Sequence, residues 1–175
     1  LQTLLGQQQY ILERKEENLA SLWNQAAAFF PDQPWIKCGS ESLSYSDANE
    51  LIPLIQKALL QQGLHKGDKL LVCADLHPEI MLVFWAAMGL GIIIVPVSPK
   101  ESIMRIQEYF SQLKPAMAFV DPALHSVLQN SVSTRVIMTD LITDPAYQPD
   151  FSFDNWLSTN SENDLSVKIV PGPED

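Results

Sequence analysis

The sequence is poor in the features that most often announce a biochemical activity. Its seven glycines are scattered singly as turn markers, so no glycine-rich run can wrap backbone amides around a phosphate. Cations are scarce, with 11 Lys and Arg against 21 Asp and Glu, and they cluster nowhere. A net charge of −10 without a basic patch excludes a nucleic-acid binder that works by neutralising phosphates, and equally a reader of anionic membrane surfaces. Cys38 and Cys73 share no short motif spacing, which fits a reducing compartment without disulfides. Neither His65 nor His125 has a nearby Cys or second His at ligand spacing, so a metal site has little support. No serine sits in a nucleophile elbow, and Cys38 has no basic neighbour except Lys37, so covalent catalysis has little support too. The longest apolar stretch, residues 80–97, is interrupted by Gly89, Gly91 and Pro96 and is not a membrane span. With no charged-then-apolar leader, the expected location is the cytoplasm.

What is present is the composition of a globular core: 46% of residues are hydrophobic and four are Trp, enough for one domain to bury a real interior. Leu19, Leu22, Trp23, Ala26 and Phe30 share a helical face, with Asn18 as a candidate cap and Pro31 as the stop. Two β-prone runs around residues 39–41 read as a hairpin. From Ser46 and Asp47 a helix with Ala48, Leu51, Ile52, Ile55 and Leu59 on one side runs to Gly63; Pro53 inside it should kink it or shift its start.

Strand and helix patterns then alternate. Apolar runs at 69–74, 92–97, 116–120 and 135–139 read as buried strands. Between them lie a helix at 78–88 that is apolar nearly all round and should be covered on both sides, an amphipathic helix at 101–113 carrying Ile103, Ile106, Phe110 and Leu113, and a short surface helix around His125. Alternation with short links predicts an α/β fold: a mostly parallel sheet with helices on both faces, preceded by an N-terminal helix and a β-hairpin. Residues 1–17 form a polar arm, 18–140 the α/β unit, and 141–175 an acidic, proline-containing connector whose only cation is Lys168. Within that connector, "FSFDNW" and "LSVKIV" could dock or add an edge strand.

The most suggestive cluster is "ADLHPE". Asp75, His77 and Glu79 would lie outside the carboxyl end of a parallel strand, where three titratable groups could bind a metal or move protons. The structural reading is the stronger one. Pro78 suits a first helical turn, Glu79 complements the positive end of the helix dipole, and Asp75 or His77 can cap free amides. On spacing alone the chain is a scaffold without catalytic groups.

The order of motifs nevertheless resembles a known family. "LSY" at 43–45, "GLHKGD" at 63–68, Pro78-Glu79 and "VPVSP" at 95–99, with "FFPDQPWI" before them, are similar to the N-terminal region of adenylate-forming enzymes: acyl-CoA synthetases, peptide-synthetase adenylation domains and luciferases. Leu76 and His77 stand where the family often has asparagine and serine. The resemblance implies a parent that activates a carboxylic acid with ATP and Mg and passes the acyl group to coenzyme A or a carrier thiol. Its partners would be the rest of its own chain, the remaining N-domain and a C-terminal lid domain. An aryl or fatty acid, o-succinylbenzoate being one candidate, is slightly preferred as the implied substrate of a coenzyme A ligase over the amino acid of an amino-acid-activating domain. In some coenzyme A ligases of the family a basic residue on the helix corresponding to 101–113 approaches the nucleotide phosphates. That role would fall to Arg105, which by spacing alone is a solvated partner of Glu101 or Glu108.

"VPGPED" at 170–175 is similar to the approach to the family's Thr/Ser/Gly-rich phosphate loop, and Leu1 is not a Met. Both lead to the expectation of an excised N-terminal piece that stops before the loop and has no activity of its own. The alternative is a stand-alone α/β binding or regulatory module. A flavodoxin-like nucleotide binder fits by fold but lacks phosphate-binding glycines after the first strand.

Overall fold

The computed structural model describes residues 19–39, 41–128, 135–138 and 152–161. The polar arm, the "LSVKIV" patch and "VPGPED" lie outside them.

Helix α1 (Leu19–Phe29) stops before Pro31 and is followed by an antiparallel hairpin of β1 (Pro34–Cys38) and β2 (Glu41–Ser44), with Cys38 opposite Glu41 and Ile36 opposite Leu43. Helix α2 (Tyr45–Gln61) begins slightly earlier than its apolar period suggests, because Ser44 is the cap. The Ser44 hydroxyl accepts from the Asp47 N–H at 3.1 Å while the Asp47 carboxylate accepts from the Ser44 N–H at 3.0 Å, a reciprocal capping box. The helix continues through Pro53. Proline has no N–H to give the Asn49 carbonyl. Burial of Ala48, Leu51, Ile52, Ile55, Ala58 and Leu59 holds the helix on both sides of that gap. Gly63, at φ +83°, takes the left-handed turn that ends the helix.

There follow β3 (Lys69–Cys73), α3 (Pro78–Gly89), β4 (Ile93–Pro96), α4 (Ile103–Leu113), β5 (Met117–Val120), α5 (Pro122–Leu128), β6 (Arg135–Met138) and α6 (Phe153–Ser161). Strands β3 to β6 pair in parallel in the order β4-β3-β5-β6. Leu70, Val72, Met117 and Phe119 point to one face, in a core completed by α2, α3 and α6 with Trp23 of α1. Leu71, Cys73, Ala118 and Val120 point to the other, against Ile106 and Phe110 of α4 and Leu124 and Leu128 of α5. The parallel sheet with helices on both faces is therefore as the alternation predicts.

Three local readings need correction. The run at 92–97 forms a strand, but not one buried on both faces: β4 is the outer strand among those described, and Ile93 is 49% exposed. An uninterrupted apolar run looks the same in sequence whether a neighbour strand flanks it or not. His125 is not a surface residue; at 1% exposure it is inside, because α5 lies flat on the second face. The patch beginning "FSFDNW" docks, but as helix α6 and not as an edge strand. Phe153, Trp156 and Leu157 recur at helical spacing and insert beside Phe119. A side-chain hydrogen bond from Gln62 to Asn160 ties α6 to the end of α2.

Candidate functional site

The connections reverse direction around β3. Helix α3 leads to β4 on one side of it, and α4 crosses to β5 on the other. In open parallel sheets this is where a crevice opens outside the carboxyl ends of the strands. The segments that rim it here are residues 74–77 after β3, 97–102 after β4 and Asp121 after β5.

Asp121 organises the rim. Its two carboxylate oxygens accept from the Asp75 N–H at 3.2 and 3.3 Å, so the end of β5 holds the loop that leaves β3. Its backbone carbonyl accepts from Leu124 and His125 and starts α5. On the β4 side, the Cys73 thiol lies 3.7 Å from the Ser98 carbonyl oxygen. Cys73 is a free thiol whose pKa is pushed up to about 12, first by burial and then by the negative charges of Asp121 and Glu101.

Of the "ADLHPE" residues, Asp75 is exposed and uses its backbone N–H on Asp121. His77 takes the N-cap position of α3 without making a side-chain cap, and its Nε2 is buried without a hydrogen-bond partner. Pro78 opens the helix and Glu79 lies in its first turn at 8% exposure. The structure thus brings Asp75, His77 and Glu79 to the strand ends together with Asp121, Ser98 and Glu101, which the sequence reading left out. Among the described residues, no group of three or more His, Cys, Asp or Glu could hold a metal ion. His65 is elsewhere, in the turn before β3, where its N–H donates to Asp68 at 2.7 Å.

The rim is a poor match for a triphosphate. Its charged side chains are three carboxylates, Asp75, Glu101 and Asp121, against the single cation Lys100, and the positive end of α3 already carries Glu79. What the rim residues do is fix three strand ends and two helix starts in one surface.

A model of the AMP-binding enzyme family matches residues 23–171. The chain belongs to this family. Among curated proteins, malformin synthetase of Aspergillus brasiliensis is 29% identical over 135 residues, which is 77% of this chain and 3% of that protein. A plipastatin synthase of Bacillus subtilis is 24% identical over 153 residues, 79% of this chain and 6% of that one. The fold is also that of a candidate long-chain-fatty-acid CoA ligase from Rhodopseudomonas palustris, with a TM-score of 0.69 at 18% identity over 81% of this chain and 36% of that chain. A benzoate CoA ligase from Burkholderia xenovorans gives 0.68 at 14% identity, over 83% of this chain and 29% of that chain. At such identities the likeness speaks to fold alone. The AMP-binding chain spans a small part of each of these curated relatives and about a third of each of these solved ones.

In this AMP-binding family member, Arg105 is exposed on α4 and lies along its own helix. Its Nη1 is 3.0 Å from Glu108 Oε2, its Nε donates to the Tyr109 hydroxyl at 3.3 Å, and its guanidinium carbon lies 5.3 Å from the Tyr109 ring centroid. The hydrogen bond to Tyr109, and then that to Glu108, raises its pKa further. No described helix is long and apolar enough to cross a membrane.

Proposed function

We propose that the chain is the N-terminal α/β part of an ATP-dependent ligase that activates a carboxylic acid as its acyl-adenylate and transfers the acyl group to coenzyme A or a carrier thiol. The single observation that carries this reading is the family match over residues 23–171, laid on a parallel sheet whose strand ends form one organised rim. In the whole ligase, ATP and Mg would bind mainly to residues outside those described. Residues 18–140 would supply a wall of the catalytic region, with Asp121 and the loop after β3 as its ordered edge. Residues 141–175 would lead from that wall toward the phosphate-binding loop. The partners are then the remaining N-domain and a C-terminal lid domain, and the work is done in the cytoplasm. By this reading the 175 residues alone activate nothing.

The acceptor would be either coenzyme A or a carrier thiol. With coenzyme A, Arg105 would leave Glu108 to meet a nucleotide phosphate. The experiment is carboxylate-dependent ATP–pyrophosphate exchange over a panel of aryl, fatty and amino acids, followed by thioester detection with coenzyme A and with a carrier protein. A longer protein containing this chain should exchange with at least one acid; the 175 residues should not. Exchange by the 175 residues themselves would refute the division of labour. No exchange by the longer protein with any acid would favour the stand-alone binding module.

A further inference from the structure

Helix α6 is held by two kinds of contact. Phe153, Trp156 and Leu157 bury apolar surface beside Phe119. Such contacts are non-directional and fix which face of a helix is buried better than its position along its own axis. The second contact is directional. Asn160, on the last turn and 9% exposed, donates from Nδ2 to the Trp156 carbonyl at 2.6 Å and accepts at Oδ1 from Gln62 Nε2. Both ends of a buried amide are thus engaged, the condition under which a polar contact specifies one arrangement. A leucine in either place would bury surface without setting a register.

The place of this pair matters as much as its chemistry. Gln62 is the C-cap of α2, and the turn after it delivers β3: the Gly67 N–H donates to the Gly91 carbonyl and the Ile93 N–H to the Asp68 carbonyl. The end of α2 therefore lies at the amino ends of β3 and β4, opposite the rim. Tied to Gln62, the last turn of α6 lies there too, as do the ends of α3 and α4 before their strands. In parallel sheets a helix end in this place launches a segment toward the carboxyl ends, where ligands bind. We propose that Gln62 and Asn160 form a positioning joint, which sets the point where the chain leaves α6 and thereby the placement of the ATP-binding residues in the longer ligase. The inference rests on the ligase reading above. Both residues act through the register of α6, not by contact with substrate.

The test uses a longer protein that contains this chain, assayed by ATP–pyrophosphate exchange. Gln62→Leu and Asn160→Leu each remove one half of the pair while keeping bulk. Either should raise the KM for MgATP about tenfold, because small displacements of positioned groups carry effects of at least that size. The KM for the acid should not change. Gln62→Asn combined with Asn160→Gln exchanges the two amides across the joint and should recover most of the wild-type KM for MgATP. In the 175-residue chain, hydrogen exchange read by mass spectrometry should show the α6 amides of Gln62→Leu exchanging about tenfold faster, with those of β3 and β5 unchanged. A KM for MgATP unmoved by either leucine would overturn the proposal. So would equal losses for MgATP and the acid, which mark a merely structural contact, or failure of the exchanged pair to recover. A wild-type longer protein that exchanges with no acid would instead refute the ligase reading, and the joint with it.

Discussion

The two faces of the parallel sheet are built from alternate residues of the same strands, yet they differ in kind. The first face presents Leu70, Val72, Met117 and Phe119 and is covered by three helices, with Trp23 of a fourth behind them. The second presents Leu71, Cys73, Ala118 and Val120, smaller on average, and is covered by α4 and α5. On the first face Phe119 meets Phe153 and Trp156 at centroid distances of 6.0 and 5.2 Å, an aromatic cluster that clamps α6 to the sheet. On the second, the strand ends pass directly into the acidic rim through Cys73 and Asp121. The first face is the larger hydrophobic layer, and the second is the smaller one and ends at the rim.

The comparison is most sharply tested by truncating one residue on each face. Phe119→Ala removes a fully buried ring from the aromatic cluster and should destabilise the chain by about 3–5 kcal/mol in urea denaturation. Val120→Ala, the next residue and equally buried but on the second face, should cost about 2 kcal/mol. Equal losses would erase the distinction between the faces.

Next in size is Asp121→Ala, which leaves the Asp75 N–H without its carboxylate acceptor; the bond is exposed and water can replace it, so about 0.5–1.5 kcal/mol should be lost. Asp121→Asn keeps an acceptor and should lose less. If the two variants match wild type, the rim is not held by this residue.

The third prediction concerns alkaline pH. Cys73 has its pKa raised in the folded state from 9.0 to about 12, so the unfolded chain gives up this proton first. The associated stability is fully present below pH 9 and is lost as the pH rises toward 12, with a slope that approaches one proton. Cys73→Ala should flatten this part of the profile. At pH 8 a thiol reagent should label the exposed Cys38 at once and the buried Cys73 only on unfolding. Rapid labelling of both would show the second face to be open.

The smallest effect is expected at Arg105. Its contacts with Glu108 and Tyr109 are solvent-exposed, so Arg105→Ala should leave the melting temperature unchanged within error. In a longer coenzyme A ligase the same substitution should raise the KM for coenzyme A. An unchanged KM would remove Arg105 from the site.

How much of this was legible in the sequence depends on the range of the interaction. Helix α2 was readable from its apolar period, and the parallel sheet from alternating runs with short links, because both are written locally. The exposure of β4 was not readable, since Ile93, Ile94 and Val95 spell the same run whether or not another strand lies beside them. The acidic, proline-bearing context of residues 141–175 obscured α6, although Phe153, Trp156 and Leu157 carry the helical spacing. In the site, Asp75, His77 and Glu79 were found because they are sequence neighbours. Asp121 was missed because its partner lies 46 residues away, and a lone Asp before a Pro reads first as a helix start.

On the function proposed above, this chain is a structural wall of an adenylate-forming ligase and not its nucleotide site. The most direct test is calorimetric titration of the 175-residue chain with ATP and Mg. The acidic rim and the absence of a glycine-rich loop predict no saturable binding. A dissociation constant tighter than about 1 mM, which corresponds to about −4 kcal/mol, would contradict the account and place the nucleotide on these residues.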